Sequence, residues 1–119
     1  MEIDYRLNTN DATGSLDISY RLLKYVNNSK ACILYNYLRN KNKYFAYNNQ
    51  FTYINGNQYF FNITADISAV TMLSSLEIRA ALKILIDKNL IHTEKKGVPQ
   101  KRFFHLLGET YSDVILGVK

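Results

Sequence analysis

The stretch Ser74-Ser75-Leu76-Glu77-Ile78-Arg79-Ala80-Ala81-Leu82-Lys83-Ile84-Leu85-Ile86-Asp87-Lys88-Asn89 decides the fold. Ser74 and Glu77 stand three residues apart, the spacing of a capping box. In that arrangement the serine hydroxyl and the glutamate carboxylate each satisfy the other's free backbone N–H. The helix they open is expected to run to about Lys88. Ile78, Leu82, Leu85 and Ile86 recur at helical steps and form its core stripe, while Arg79, Ala80, Lys83 and Asp87 lie off it. Ile84 sits outside the main stripe, open between local packing and an interface. Asn89 tolerates the left-handed conformation and ends the helix.

Downstream, Leu90 to Lys95 and Arg102 to Leu107 read as two strands around Lys96-Gly97-Val98-Pro99-Gln100-Lys101. Closed as a hairpin, they make Glu94 and Arg102 cross-strand neighbours. Lys95, Lys96, Lys101 and Arg102 then stand on one protruding turn. Such a cluster suits phosphates or the minor groove; taken alone it reads rather as solvated loop charge, and the capped helix immediately upstream reverses that reading.

Upstream, Thr64 is expected to cap a short helix through Val70, with Ile67 and Val70 facing inward, before the tight turn Thr71-Met72-Leu73. From Tyr44 to Phe61 aromatic and β-branched residues are broken at Asn48-Asn49 and Asn55-Gly56. Asn-Gly between strand-like runs signals a hairpin, because both central residues of a type I′ turn need positive φ. Its strands are placed near 50–54 and 57–61. A first helix, N-capped by Ser29, runs to about Asn42 and buries Ile33, Leu34, Tyr37 and Leu38. Cys32 beside that face reads as a buried, inert thiol, since no cationic cluster flanks it. Residues 8–15 read as a loop and Tyr5-Arg6-Leu7 as a strand fragment; Leu16 to Val26 is apolar and of undecided type. This divides the chain into an N-terminal segment (1–28), a domain (29–107) and a tail (108–119) with one short helix after Thr110.

The 119 residues allow one domain with a real core and little beside it. Charge is unevenly spread: residues 1–20 carry four acids and one base, residues 21–107 thirteen bases and four acids, or net +9. A basic body suggests an anionic partner, most often nucleic acid. The single cysteine rules out an intramolecular disulfide and fits a reducing, cytoplasmic setting. Met1-Glu2-Ile3-Asp4 lacks an apolar segment, so no secretory signal is expected. The 22 uncharged residues between Lys43 and Asp66 are interrupted by seven Asn or Gln, which argues against a membrane span.

Catalytic chemistry finds little support. His92 and His105 both fall on the last hairpin, and Cys32 is far from either, so no ligand spacing for zinc exists. The five glycines are isolated, and none forms a phosphate loop. No Ser or Cys has a base at revealing distance. The expectation is a non-enzymatic protein without metal or cofactor.

The order helix, hairpin, short helix, turn, capped helix, two-stranded wing presents the capped helix's N-terminal half outward, where it can enter a major groove. The run from Tyr59 to His92, with the segment Lys95-Lys96-Gly97-Val98-Pro99-Gln100-Lys101-Arg102-Phe103-Phe104, resembles a winged helix-turn-helix. In particular it resembles the N-terminal domains of plasmid replication initiator A proteins and of phage replisome organisers. The best matches are Ser74-Ser75 opening the helix, Ile78 and Leu82 in its core, Leu85 to Ile91 closing it, and the wing. The similarity spans about residues 29–107.

The resemblance implies an α+β fold with a three-helix core, an inserted aromatic β-hairpin and a C-terminal β-wing. It makes Ser75–Lys88 the recognition helix. Ser75, Leu76, Arg79, Ala80 and Lys83 would face double-stranded DNA, with Ser74 and the wing residues Lys95, Lys96, Gln100, Lys101 and Arg102 on the backbone. The expected role is DNA replication for a plasmid, phage or other mobile genetic element. A homodimer would match inverted half-sites.

A transcriptional repressor shares that fold. A protein-interaction module is the rival from another class: an accessory subunit for a primase, polymerase or helicase, or an inhibitor of a host defence protein, using the aromatic hairpin. That insert holds eight of the sixteen aromatics. They could stack single-stranded bases, but Phe51, Tyr53, Tyr59 and Phe61 are expected to pack instead.

Overall fold

Ser19 caps the first helix, α1 (Tyr20–Val26), by accepting a hydrogen bond from the Leu22 N–H at 3.1 Å. The computed structural model describes residues 16–116. The strand fragment and loop expected within residues 5–15 lie outside them. Asn27 (φ 57°) closes α1 in the left-handed region, and Asn28 immediately caps α2 (Ser29–Tyr47) through its side-chain oxygen, 2.9 Å from the Ala31 nitrogen. Ser29 is therefore the first helical residue rather than the cap.

Helix α2 also runs five residues past the expected end at Asn42. No breaker interrupts Lys43-Tyr44-Phe45-Ala46-Tyr47, and packing rewards the extension: the Phe45 ring stacks on Phe60 at 5.3 Å. Tertiary contact thus overrides the strand-like aromatic pattern. α2 is the central helix, packed against α1, against the two helices that follow the first hairpin and against the last strand. Ala31, Cys32, Leu34, Tyr35, Tyr37 and Leu38 are all buried, a wider face than one stripe, whereas Ile33, expected on it, is only half-buried. Burial pushes the Cys32 thiol up from its ordinary range and so keeps it protonated, as an inert thiol requires.

Strands β1 (Thr52–Ile54) and β2 (Asn57–Phe61) form the expected hairpin, with Asn55 at φ 52° and Gly56 at φ 82°. Helix α3 (Thr64–Thr71) comes next. Its N-cap is Ile63, with no side-chain bond, so Thr64 is not a cap. Met72 (φ 65°) ends α3, and Leu73 and Ser74 lead into α4 (Ser75–Asp87). The capping box is present, and Ile78, Leu82 and Leu85 are buried. Ala81 completes the stripe and Ile86, 40% exposed, does not: it lies one step round the helix from Leu85. Asn89 terminates the segment at φ 60°.

Strands β3 (Ile91–Lys96) and β4 (Lys101–Leu106) pair around a four-residue turn. The ladder gains one pair at the tip, Lys96↔Lys101, which leaves a loop of four residues instead of six at an unchanged register. Glu94 faces Phe103, and Lys95 rather than Glu94 faces Arg102. Glu94 and Arg102 therefore point to opposite faces of the hairpin, because successive side chains alternate along a strand.

Both hairpins join one antiparallel sheet in the order β1-β2-β4-β3, through Phe60↔Phe104 and Phe61↔Phe103. Phe60 and Phe104, ring centroids 5.6 Å apart, carry the sheet's inner face onto α2. A short α-helical turn, α5 (Gly108–Thr110), starts earlier than expected and passes into a π-helical stretch, Tyr111–Leu116. The Arg39 guanidinium lies 4.1 Å over the Tyr111 ring, and Ile115 is buried in the same core as Leu22 and Val26. The fold is thus α+β, with its helices against one face of the sheet.

Candidate nucleic-acid interface

Because Ile78, Ala81, Leu82 and Leu85 turn inward, the opposite side of α4 is left in solvent. Ser75, Leu76, Arg79, Ala80 and Lys83 are all exposed there, with Ser74 at its start. The helix start is held firmly. Ser74 Oγ accepts from the Glu77 N–H at 3.1 Å, and Glu77 Oε1 accepts from the Ser74 N–H at 2.8 Å. Glu77 Oε2 is ion-paired with Lys30 of α2. The Lys30 hydrogen bond, then the Ser74 N–H, hold the Glu77 carboxyl below its usual range. The acid in the first turn of α4 therefore has its charge answered from within the protein.

The second hairpin supplies cations. Lys95 lies directly across from Arg102 and Lys96 directly across from Lys101. Like charges opposite one another disfavour a strand pair by a few tenths of a kcal/mol or more, so folding gains nothing from this arrangement. Lys95, Lys96 and Lys101 are exposed and Arg102 half-buried. Lys101 Nζ also stands 5.3 Å over the Phe61 ring.

Between α4 and this hairpin lies a cleft of about 520 Å³. Ser75 and Arg79 line it from the helix, and Lys95, Gln100, Lys101 and Arg102 from the hairpin. Those six come together as one basic concavity. Ser74, Leu76, Ala80, Lys83 and Lys96 do not line it; they stand on the exposed surface beyond. The remaining wall is Phe61, Ile78, Pro99 and the β2–α3 link Asn62-Ile63-Thr64, and the lining contains no acid. Sequence reasoning missed the β2–α3 link, because only the β2–β4 pairing carries it to the cleft.

The aromatic insert mostly packs. Phe60 and Tyr59 are buried, and Phe45 and Phe51 rest against the core. Phe61 is half-buried beside Phe103. Tyr53 is the correction: it is 62% exposed on the short edge strand β1, where its hydroxyl accepts from Gln58 Nε2 at 3.2 Å. His92 and His105 face each other across β3 and β4, and the His105 Nδ1–H donates to the Gln58 carbonyl at 2.8 Å. Among the described residues no three His, Cys, Asp or Glu cluster to hold a metal ion. Within the same limits, no helix is long and apolar enough to cross a membrane.

No protein-family model matches the sequence, and comparison with curated proteins finds no match either. A solved structure, the N-terminal domain of a DNA-binding protein, superposes with a TM-score of 0.60. The alignment covers 90% of this chain and 84% of that one, at 15% sequence identity. The likeness is one of fold, and it extends over nearly the whole chain.

Proposed function

We propose that the chain is a non-catalytic winged-helix DNA-binding protein of a mobile element or phage, acting in DNA replication in the cytoplasm. One observation carries the DNA-binding part: Lys95, Lys101 and Arg102 of the β3–β4 hairpin and Arg79 of α4 line one cleft, which contains no acid. The fold shared with the N-terminal domain of a DNA-binding protein supports it. In this reading α3, the turn at Met72 and α4 are the helix-turn-helix, and β3–β4 is the wing.

The N-terminal half of α4 enters the major groove, about 12 Å wide. The wing lies along the backbone and sets the register without reading sequence. Arg79, one turn into α4 and off its core stripe, reaches a guanine edge through two parallel hydrogen bonds. Ser74 and the wing cations hold the flanking phosphates. A homodimer is the assembly that matches this reading on inverted half-sites. The replication role rests on the resemblance of the Tyr59–Phe104 segment to initiator and replisome-organiser domains.

A titration of labelled duplex DNA across a salt series tests the reading. Neutralising about four to six phosphates gives a log–log salt slope near −4 to −5. Absence of binding to any duplex at low salt overturns it. A divergent promoter as the bound site, rather than an origin, moves the role from replication to repression.

A further inference from the structure

Resting on that reading, we infer that Leu76 and Ala80 read thymine, through its 5-methyl group, in the major groove. Leu76 is 70% exposed, although it occupies the second position of a helix whose other large apolar residues face the core or its edge. Met72, 83% exposed in the turn just before, stands at the same end of α4. Ala80 follows Leu76 by one turn. Along its outward side α4 therefore alternates apolar and cationic residues at helical spacing: Leu76, Arg79, Ala80, Lys83.

That alternation selects the occupant. Arg79 and Lys83 flank the apolar positions, and Glu77, the acid nearest Leu76 on the helix, is ion-paired to Lys30. The surface is thus complementary to a polyanion. On the major-groove floor the thymine methyl is the apolar feature, and every other base edge presents hydrogen-bonding atoms. A leucine pressed against those atoms would strip their water and return no hydrogen bond. A methyl group under Leu76 removes that penalty and buries both apolar surfaces. The same logic applies at smaller scale to Ala80. The bound site is therefore A·T-rich beneath the first two turns of α4, with a guanine available to Arg79.

The test compares alternating poly(dA-dT) with poly(dA-dU), which lacks only the methyl. Alternating poly(dG-dC) and its 5-methylcytosine form, which adds a methyl in the same groove, make the converse pair. All are titrated at one salt concentration by fluorescence anisotropy. The expected result is three- to tenfold weaker binding to the uracil polymer and stronger binding to the methylated cytosine polymer. Leu76→Ser combined with Ala80→Ser is expected to remove both differences while keeping the fold and the salt slope, whereas Val98→Ser at the wing tip keeps both differences. Equal wild-type affinity for poly(dA-dT) and poly(dA-dU) overturns the inference and leaves duplex binding standing. So does a difference that survives undiminished when Leu76 and Ala80 are both Ser, since DNA shape then accounts for it. Failure to bind any of the four polymers, at low salt, overturns the duplex-binding reading itself.

Discussion

Lys95 faces Arg102 across the β3–β4 ladder, one position from a second like-charged pair, Lys96 and Lys101. The hairpin therefore carries its cations at the expense of its own stability. Replacing Lys96 and Lys101 together by Thr, a good strand former, relieves one repulsive pair. The expected gain is about 0.5–1 kcal/mol, seen as a rise of a few degrees in melting temperature. The same variant should bind cognate and random duplex less tightly by nearly equal factors, with a salt slope flatter by up to about two units. Paired melting curves and salt titrations check both halves.

Arg79→Ala separates reading from positioning. Arg79 is exposed, so the fold and its melting temperature should be unchanged. Affinity for the cognate site should fall by about 1–3 kcal/mol, with little loss on a scrambled duplex. Equal losses on both would make Arg79 a phosphate contact.

The start of α4 is expected to respond to acid. Glu77's folded-state carboxyl is held below its ordinary value of 4.5, first by the Lys30 hydrogen bond and next by the Ser74 N–H. A depressed value means stability that is fully present above the unfolded carboxyl's titration and lost as pH falls through the folded one. Carboxyl chemical shifts followed from pH 7 to 2 should place Glu77 below a free glutamate in the native protein. In Lys30→Ala it should move back towards the ordinary value. Ser74→Ala should cost about 1 kcal/mol near neutral pH by removing the cap.

Two rings of the aromatic hairpin should differ sharply. Phe60 is fully buried between Phe45 and Phe104, and Phe60→Ala should cost about 3–5 kcal/mol. Tyr53 stands in solvent on the edge strand, and Tyr53→Ala should stay within about 0.5 kcal/mol. Chemical denaturation of the two variants distinguishes them. A large loss at Tyr53 would place it in contacts the fold does not give it.

Much of the architecture was legible because its signals are local. The Ser74–Glu77 box, the Asn55-Gly56 turn and the left-handed Asn89 each depend on a few neighbouring residues, and each stands where the sequence puts it. The errors arise where a distant partner decides. Phe45 stays helical because Phe60 receives it, and Ile86 is exposed because the core covers the side of α4 that carries Ala81 and Leu85. The expected Glu94–Arg102 pair fails for a local reason: residues equidistant from the wing tip pair, and Lys95 is the one opposite Arg102. For the site, Arg79 and the hairpin cations could be named from spacing. Their meeting in one cleft with Asn62-Ile63-Thr64 could not, because it depends on the pairing of β2 with β4.

That pairing has an architectural consequence. Strands β2 and β4 bracket α3, α4 and β3 in the chain, so their hydrogen bonds close this segment into a ring anchored on the sheet. The gap between α4 and the wing is then gauged by the ladder, and the length of the wing tip does not enter it. Residues inserted between Gly97 and Gln100 would extend the wing's reach along a bound partner at constant gap. Residues inserted at Asn62-Ile63 would tilt α3 and α4 together. Reach and groove geometry are therefore separately adjustable, and a lineage of such proteins could change the length of its target site without redesigning the helix that reads it.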